Sequence, residues 1–360
     1  MNKKETEVVL QRIENWYARL PDLIVYDKQN FHAEFGWSKE PTPFQDRMEL
    51  NYKKIEEGES WGEKWESAWF HLTGVVPKNW SGKRVATDLD FSGEGLVFNS
   101  NGVAIQGITN GAIWDPNFAR TRVHFIDECV GGEKIELWVE AAANSLFGVF
   151  TEPDPEEQSP KRHGWFDAKV EKMKFGIFDK DVWHLYLDAR ILLGLVKHLD
   201  KKTVRRVRII KSLNQCINIF AENRNNAQAA RDCLQVELEK CASASDLKVS
   251  AIGHAHIDTG WLWPVRETVR KTARTFATQL KIIDQYPQYI FGASQPQHYQ
   301  FMKDSYPEIY DRVKVAVSNG NWECQGGMWV EADCNLISGE SMVRQLLHGK
   351  NFFKDEFDVD

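Results

Sequence analysis

The segment His254-Ala255-His256-Ile257-Asp258 puts two imidazoles and a carboxylate at alternate positions. In an extended chain successive side chains point to opposite faces, so His254, His256 and Asp258 share one side and Ala255 and Ile257 the other. An imidazole and a carboxylate two residues apart can then reach one cation. Imidazole nitrogen suits zinc, and a carboxylate is a common companion ligand. The same spacing also occurs by chance on structural loops, and by itself it leaves both readings open. A second segment, Gly326-Gly327-Met328-Trp329-Val330-Glu331-Ala332-Asp333-Cys334-Asn335, brings two acids, Glu331 and Asp333, behind a pair of glycines. Paired glycines permit positive φ or close backbone approach, as ligand-binding loops often need. The plainer alternative is an acidic loop capping the helix that begins near Ser338.

The elements that would hold these segments alternate between strand and helix. A short β run at 247–254 leads into the first segment, and a long helix runs to about Tyr286. A strand at 289–294, a helix, a strand at 322–325 and a helix at 338–355 follow. Such alternation predicts a parallel sheet or barrel, whose active sites lie at the carboxyl ends of the strands. The sequence stops at Asp360, about where another strand is due, so the barrel is expected to be incomplete.

Three regions precede it. Residues 1–60 read as an N-terminal helix, with Val8, Val9, Ile13, Trp16, Tyr17 and Leu20 at helical spacing, and then a loop through Pro41-Thr42-Pro43. Residues 61–180 alternate in the strand period at 85–91 and 135–141, punctuated by Asn101-Gly102, Asn110-Gly111 and Gly131-Gly132, with one more strand at 170–178. This predicts an antiparallel sandwich or jelly-roll. Residues 181–242 read as a helical hairpin linker, with Leu185, Ala189, Leu192, Leu193, Val196 and Leu199 on one face and Thr203 capping the second helix. A helical stretch at 227–241 continues it, and a linker at 242–246 closes it.

With 45 basic and 52 acidic residues the net charge is −7, which argues against nucleic acid as a partner. The basic run Arg205-Arg206, Arg208 and Lys211 reads as a solvated helix face. No apolar stretch is long enough for a membrane span, and the start Met1-Asn2-Lys3-Lys4-Glu5 lacks the apolar region of a signal peptide, so a cytoplasmic location is expected. The six cysteines form no C-x-x-C pair and are expected as reduced thiols.

Residues 256–261 and 329–335 resemble the two N-terminal signatures of glycoside hydrolase family 38, in the form nearest its cytosolic-type branch. Residues 247–360 resemble that family's opening catalytic segment. Trp61-Gly62 and Ala68-Trp69-Phe70 are similar to the accessory region before it. The resemblance implies a multidomain α+β protein: an antiparallel β-sandwich or jelly-roll, a helical linker and an incomplete (β/α)7-type barrel. It implies a retaining, zinc-dependent α-mannosidase acting on mannose-containing oligosaccharides, with no nucleic-acid or membrane partner and with homo-oligomerisation left open. His256, Asp258 and Asp333 are the implied zinc ligands, Asp333 the implied nucleophile, and Trp261 the implied wall against the sugar at the cleaved position. His254 and Glu331 receive no role beyond support.

A retaining glycosidase needs an attacking carboxylate and a second one that protonates the leaving oxygen, about 5 Å apart. Coordination through one oxygen would keep Asp333 ionised with the other free to attack. In the family the fourth zinc ligand, a second histidine, and the general acid come from later segments. Residues 1–360 alone are therefore expected to hold one Zn2+ incompletely and to lack turnover. Two rival readings stand beside this one. A polysaccharide deacetylase-like zinc hydrolase would attack with metal-bound water. A non-catalytic carbohydrate-binding protein would use the β-rich region, although most of the 14 tryptophans belong in cores.

Overall fold

In the computed structural model the described residues are 3–111, 119–144, 169–240 and 249–360. Period-two alternation is strongest in β4 (Ser67–Val75), which sends Ala68, Phe70 and Leu72 to one side and Trp69 to the other. It lies between β2 (His32–Ser38) and β9 (Lys134–Ala142), all antiparallel, with Phe70 opposite both Phe35 and Val139. With β3 (Tyr52–Lys54), β6 (Glu94–Asn99) and β7 (Ala104–Thr109) they form a six-stranded sheet in the order β3-β2-β4-β9-β6-β7. Facing it is a four-stranded antiparallel sheet of β1 (Val25–Asn30), β10 (Lys172–Phe178), β5 (Val85–Asp90) and β8 (His124–Ile126), in that order.

The inner faces interdigitate. Phe35, Phe70, Val97 and Val139 from one sheet meet Leu89, Met173 and Phe175 from the other. Each such side chain contributes about 1.5–3 kcal/mol through burial. Trp61 closes one edge, its ring edge-on to Phe70 and its Nε1 donating to the Phe91 carbonyl oxygen (2.9 Å). The expected loop of 1–60 is thus partly wrong. Residues 25–54 supply β1, β2 and β3, and the sandwich begins well before residue 61. The turn-forming prolines are confined to 41–43, whereas Ala33 and Phe35 alternate into the core.

The helices before the parallel sheet form a cluster of four, not a hairpin. The first, α1 (Lys3–Leu23), packs with α2 (Lys180–His198), α3 (Val204–Phe220) and α4 (Ala227–Leu238) around Trp16, Leu20, Leu185, Leu192, Ile210, Leu213 and Leu234. Thr203 caps α3 as expected, accepting from the Arg206 amide. Ala221 (φ 46°) and Glu222 (φ 57°) then turn the chain, so that α4 folds back on α2 and α3 instead of prolonging α3. Arg206 departs from the solvated-face reading: it is buried, and its Nε donates to the Val196 carbonyl oxygen (3.0 Å) in the last turn of α2. The linker at 242–246 lies outside the described residues.

The third unit is a parallel sheet of β11 (Gly253–His254), β12 (Phe291–Ala293) and β13 (Trp322–Cys324), in sequence order. Between them run α5 (Val265–Gln285), then α6 (Pro296–Ser305) and α7 (Pro307–Ser318), each of these two begun by proline at the position that spares a hydrogen bond. The last helix, α8 (Gly339–Phe357), follows β13. β11 is shorter than expected, because Val249–Ile252 are not in a strand.

Helix α5 also docks on the outer face of the six-stranded sheet. Trp69, Leu96, Phe98, Ala104 and Trp138 from the sandwich share one core with Phe276, Leu280, Phe291 and Trp322. Cys129, Cys216, Cys233, Cys324 and Cys334 are free thiols. No described helix is long and apolar enough to cross a membrane.

Candidate active site at the strand ends

The loops leaving β11, β12 and β13 converge at the carboxyl ends of the three parallel strands. His256 Nε2 lies 3.0 Å from Asp258 Oδ1, so the alternation read from the sequence does bring this pair together. The other ring nitrogen, Nδ1, lies 2.7 Å from Glu331 Oε2, which crosses over from the loop after β13. Ser294, at the end of β12, donates through Oγ to Glu331 Oε1. Burial alone would lower the His256 pKa. The hydrogen bond to Asp258 and the charge of Glu331 outweigh it and hold the imidazole above its ordinary value. All three side chains remain partly open to solvent.

These contacts suit a cation-binding histidine. A carboxylate on one ring nitrogen fixes the tautomer and ring plane, leaving the other nitrogen beside a second carboxylate. His256 and Asp258 therefore fit zinc as two neighbouring donors. Asp333 is not gathered with them. It is exposed; its Oδ1 accepts from the Asn335 amide (2.8 Å), and its carbonyl accepts from Leu336 and Ile337. Among the described residues no three His, Cys, Asp or Glu side chains meet as a metal cage. His254, at the end of β11, is exposed.

Trp261, three residues after Asp258, is 52% exposed, its ring edge-on to buried Trp263 at 5.3 Å. Thr268, in the first turn of α5, anchors this loop: its Oγ1 accepts from the Gly260 amide and from Trp263 Nε1, both at 3.0 Å. Trp329 has a structural position. Its Nε1 donates to Gln297 Oε1 (2.9 Å), and its ring meets Phe352 edge-on. The paired glycines matter as expected. Gly326 and Gly327 have φ of 81° and 146°, and a Cβ on Gly349 of α8 would fall 2.0 Å from the Gly327 carbonyl oxygen. That contact sets α8 directly against the loop bearing Glu331 and Asp333.

Sequence reasoning missed the layer beneath: Ser294, Gln295 and His298. Their one trace is a polar pair just before Pro296, where a strand ends and a helix starts. His298 is buried with its Nε2 3.0 Å from Thr259 Oγ1, and burial lowers its pKa to about 4. An unfolded histidine takes its proton near 6.5, so between those values only the unfolded chain is protonated and stability falls as pH drops. Between pH 7 and 4 this residue should cost about 3 kcal/mol, and His298→Gln should remove that part of the acid sensitivity. Unfolding curves of parent and variant that fall equally with pH would refute it.

Residues 246–360 match the N-terminal domain of the glycosyl hydrolases family 38, and residues 29–171 match the jelly roll domain of alpha-mannosidase. The last third of the chain thus resembles glycosyl hydrolase family 38. Its family 38 segment runs from β11 to α8 and contains all the residues that meet at the strand ends. The jelly-roll match stops just before β10, which nonetheless completes the four-stranded sheet. "Alpha-mannosidase G" of Dictyostelium discoideum is 34% identical across 98% of this chain and 33% of its own length. "Alpha-mannosidase 2C1" of Homo sapiens is 33% identical across 88% of this chain and 30% of its own. "Alpha-mannosidase" of Saccharomyces cerevisiae is 27% identical across 86% and 29%. The chain thus spans about a third of the length of these curated relatives.

Proposed function

We propose that the full-length protein is a zinc-dependent, retaining α-mannosidase that removes terminal α-mannosyl residues from oligosaccharides, with the β11–β13 sheet opening a (β/α) barrel. The observation that carries this reading is His256 held between Asp258 and Glu331 where the three strand ends converge, in a segment of family 38. His256 through Nε2 and Asp258 through Oδ1 would hold the ion, with Asp333 on the adjoining loop as a third ligand. Bound zinc would supply Lewis-acid affinity for neighbouring sugar hydroxyls.

The remaining work falls to side chains. Glu331 keeps the proton on Nδ1 of His256 and so leaves Nε2 as the donor atom. Asp333, open to solvent, attacks the anomeric carbon; the glycosidic C–O bond breaks, the sugar is held as an ester of Asp333, and water later releases it. Trp261 offers its exposed ring as an apolar wall for the sugar. The acid that protonates the leaving oxygen is not assigned within residues 1–360, so turnover is expected of the full-length protein and not of this stretch alone.

The carbohydrate-binding rival loses support from packing. Trp61, Trp69, Trp80 and Trp138 of the sandwich are buried, and its outer sheet face is covered by α5. The deacetylase-like rival uses the same His256–Asp258 pair and is separated by its product. The deciding assay measures hydrolysis of a nitrophenyl α-mannoside by the full-length protein before and after chelation, and again with zinc restored. Loss and recovery are expected. Activity indifferent to chelation, or none on α-mannosides, would sink the reading.

A further inference from the structure

We infer that Gln295 is a positioning residue for this site: its buried side-chain amide clamps together the two segments that carry His256, Asp258 and Glu331. The inference rests on the zinc reading just proposed and goes beyond it to a residue that touches neither metal nor sugar.

Gln295 follows Ser294 in the two-residue connection from β12 and directly precedes α6. Its backbone is left-handed, with φ 65° and ψ 86°, a conformation that glycine or asparagine adopts at less cost. Helix capping does not account for glutamine here, because the side chain makes no capping hydrogen bond to α6. The side chain instead turns into the protein, where the residue is only 3% exposed. Nε2 donates to the Ile257 carbonyl oxygen at 2.9 Å. Oε1 accepts from Thr259 Oγ1 at 3.0 Å and, more distantly, from the Glu331 amide at 3.4 Å.

These contacts make a bridge between the motifs. Ile257 and Thr259 flank Asp258 on either side, so holding both fixes the backbone that carries its carboxylate. Glu331 is the group that orients His256 through Nδ1. One amide therefore joins the loops after β11 and β13 from the end of β12. An amide suits this bridge, because it carries a donor and an acceptor on one side chain, whereas an ionised carboxylate lacks the donor. Thr259 Oγ1 also meets Nε2 of buried His298 at 3.0 Å, so the clamp has a second anchor in α6.

The test uses full-length protein and two variants, Gln295→Asn and Gln295→Gly. Both tolerate the left-handed backbone, and neither reaches all three partners. Zinc affinity is measured by competition with a chromophoric chelator, and the visible spectrum is recorded after cobalt substitution. Affinity should fall about ten- to a hundredfold, as for other groups that orient metal ligands. The cobalt spectrum should change, while the thermal midpoint falls only modestly, because relief of the left-handed backbone offsets part of the lost hydrogen bonding. A residue needed only for folding would lower the midpoint and leave affinity and spectrum alone. Either variant, folded, with affinity within about twofold of the parent and an unchanged spectrum would overturn the inference while leaving the zinc reading intact. A parent protein that takes up no zinc would overturn both.

Discussion

Asp333→Asn in the full-length protein is expected to lower kcat on an aryl α-mannoside by on the order of a thousandfold or more, with folding unchanged. The size follows from the role: an amide neither attacks the anomeric carbon nor leaves from it as a carboxylate does, and losing a nucleophile commonly removes most of the rate. The clean background follows from the local geometry. Asp333 is exposed, and its described side-chain contact accepts from the Asn335 amide through Oδ1, which asparagine preserves with its own oxygen. The loop should keep its turn, so the lost activity can be assigned to the carboxylate. Two measurements complete the argument. A slow-turnover fluorinated mannoside should leave a sugar ester on the peptide carrying Asp333 in the parent and none in the variant. Zinc affinity should fall as well if Asp333 is a ligand. A variant retaining a tenth of the parent's kcat would remove Asp333 from the nucleophile's role and favour attack by water.

The site was legible in the sequence where local geometry decides it. His256 and Asp258 meet because side chains two apart in an extended chain share a face, and Gly326 and Gly327 do take the left-handed backbone their pairing suggests. What Glu331 supports was not legible: its partner is His256, 75 residues away, and no spacing rule reaches that far. Gln295 left only the polar pair before Pro296 as a trace, and such a pair at a strand end looks like any turn. The same contrast runs through the fold. Jelly-roll strands showed their period, but residues 25–54 hid three strands behind nearby prolines, and the chain reversal at Ala221 occurs without glycine. The largest misreading open to a sequence lies in α5. Glu267, Arg270, Lys271 and Arg274 look like a solvated face, yet all four are buried against the sandwich. Charges can be buried only when partners wait for them, and those partners, Glu94, Glu140 and Ser67, come from strands 130 to just over 200 residues earlier.

That buried network supports the second large prediction, a strong asymmetry between Glu94 and Lys271. Glu94, the first residue of β6, accepts at Oε2 from Lys271 Nζ (2.5 Å), Arg274 Nη2 (3.0 Å) and Asn144 Nδ2 (2.8 Å). Burial pushes its pKa up, but the charges of Arg274 and Lys271 outweigh that and hold it below the ordinary value of 4.5. Its contribution to stability is therefore complete above about 4.5 and lost as pH falls through the lower folded value. Lys271 balances the other way: burial lowers its pKa more than Glu94 raises it. The fold thus favours a charged Glu94 and disfavours a charged Lys271, because burial and the neighbouring charge of Arg274 both penalise its ammonium. Glu94→Gln leaves two buried cations facing a neutral amide and should cost about 3–5 kcal/mol. Lys271→Met keeps the side chain's bulk against the Trp263 ring, which Nζ approaches at 4.6 Å, and should cost less than about 1.5 kcal/mol. Urea unfolding of both variants at pH 7 measures the difference, and equal costs would mean that the pair acts as one ion pair, contrary to the argument. The consequence reaches the active site. Thr268, which anchors the Trp261 loop, lies one helical turn from Lys271 on α5, so loosening the sandwich from that helix should raise KM for mannosides before it unfolds the protein.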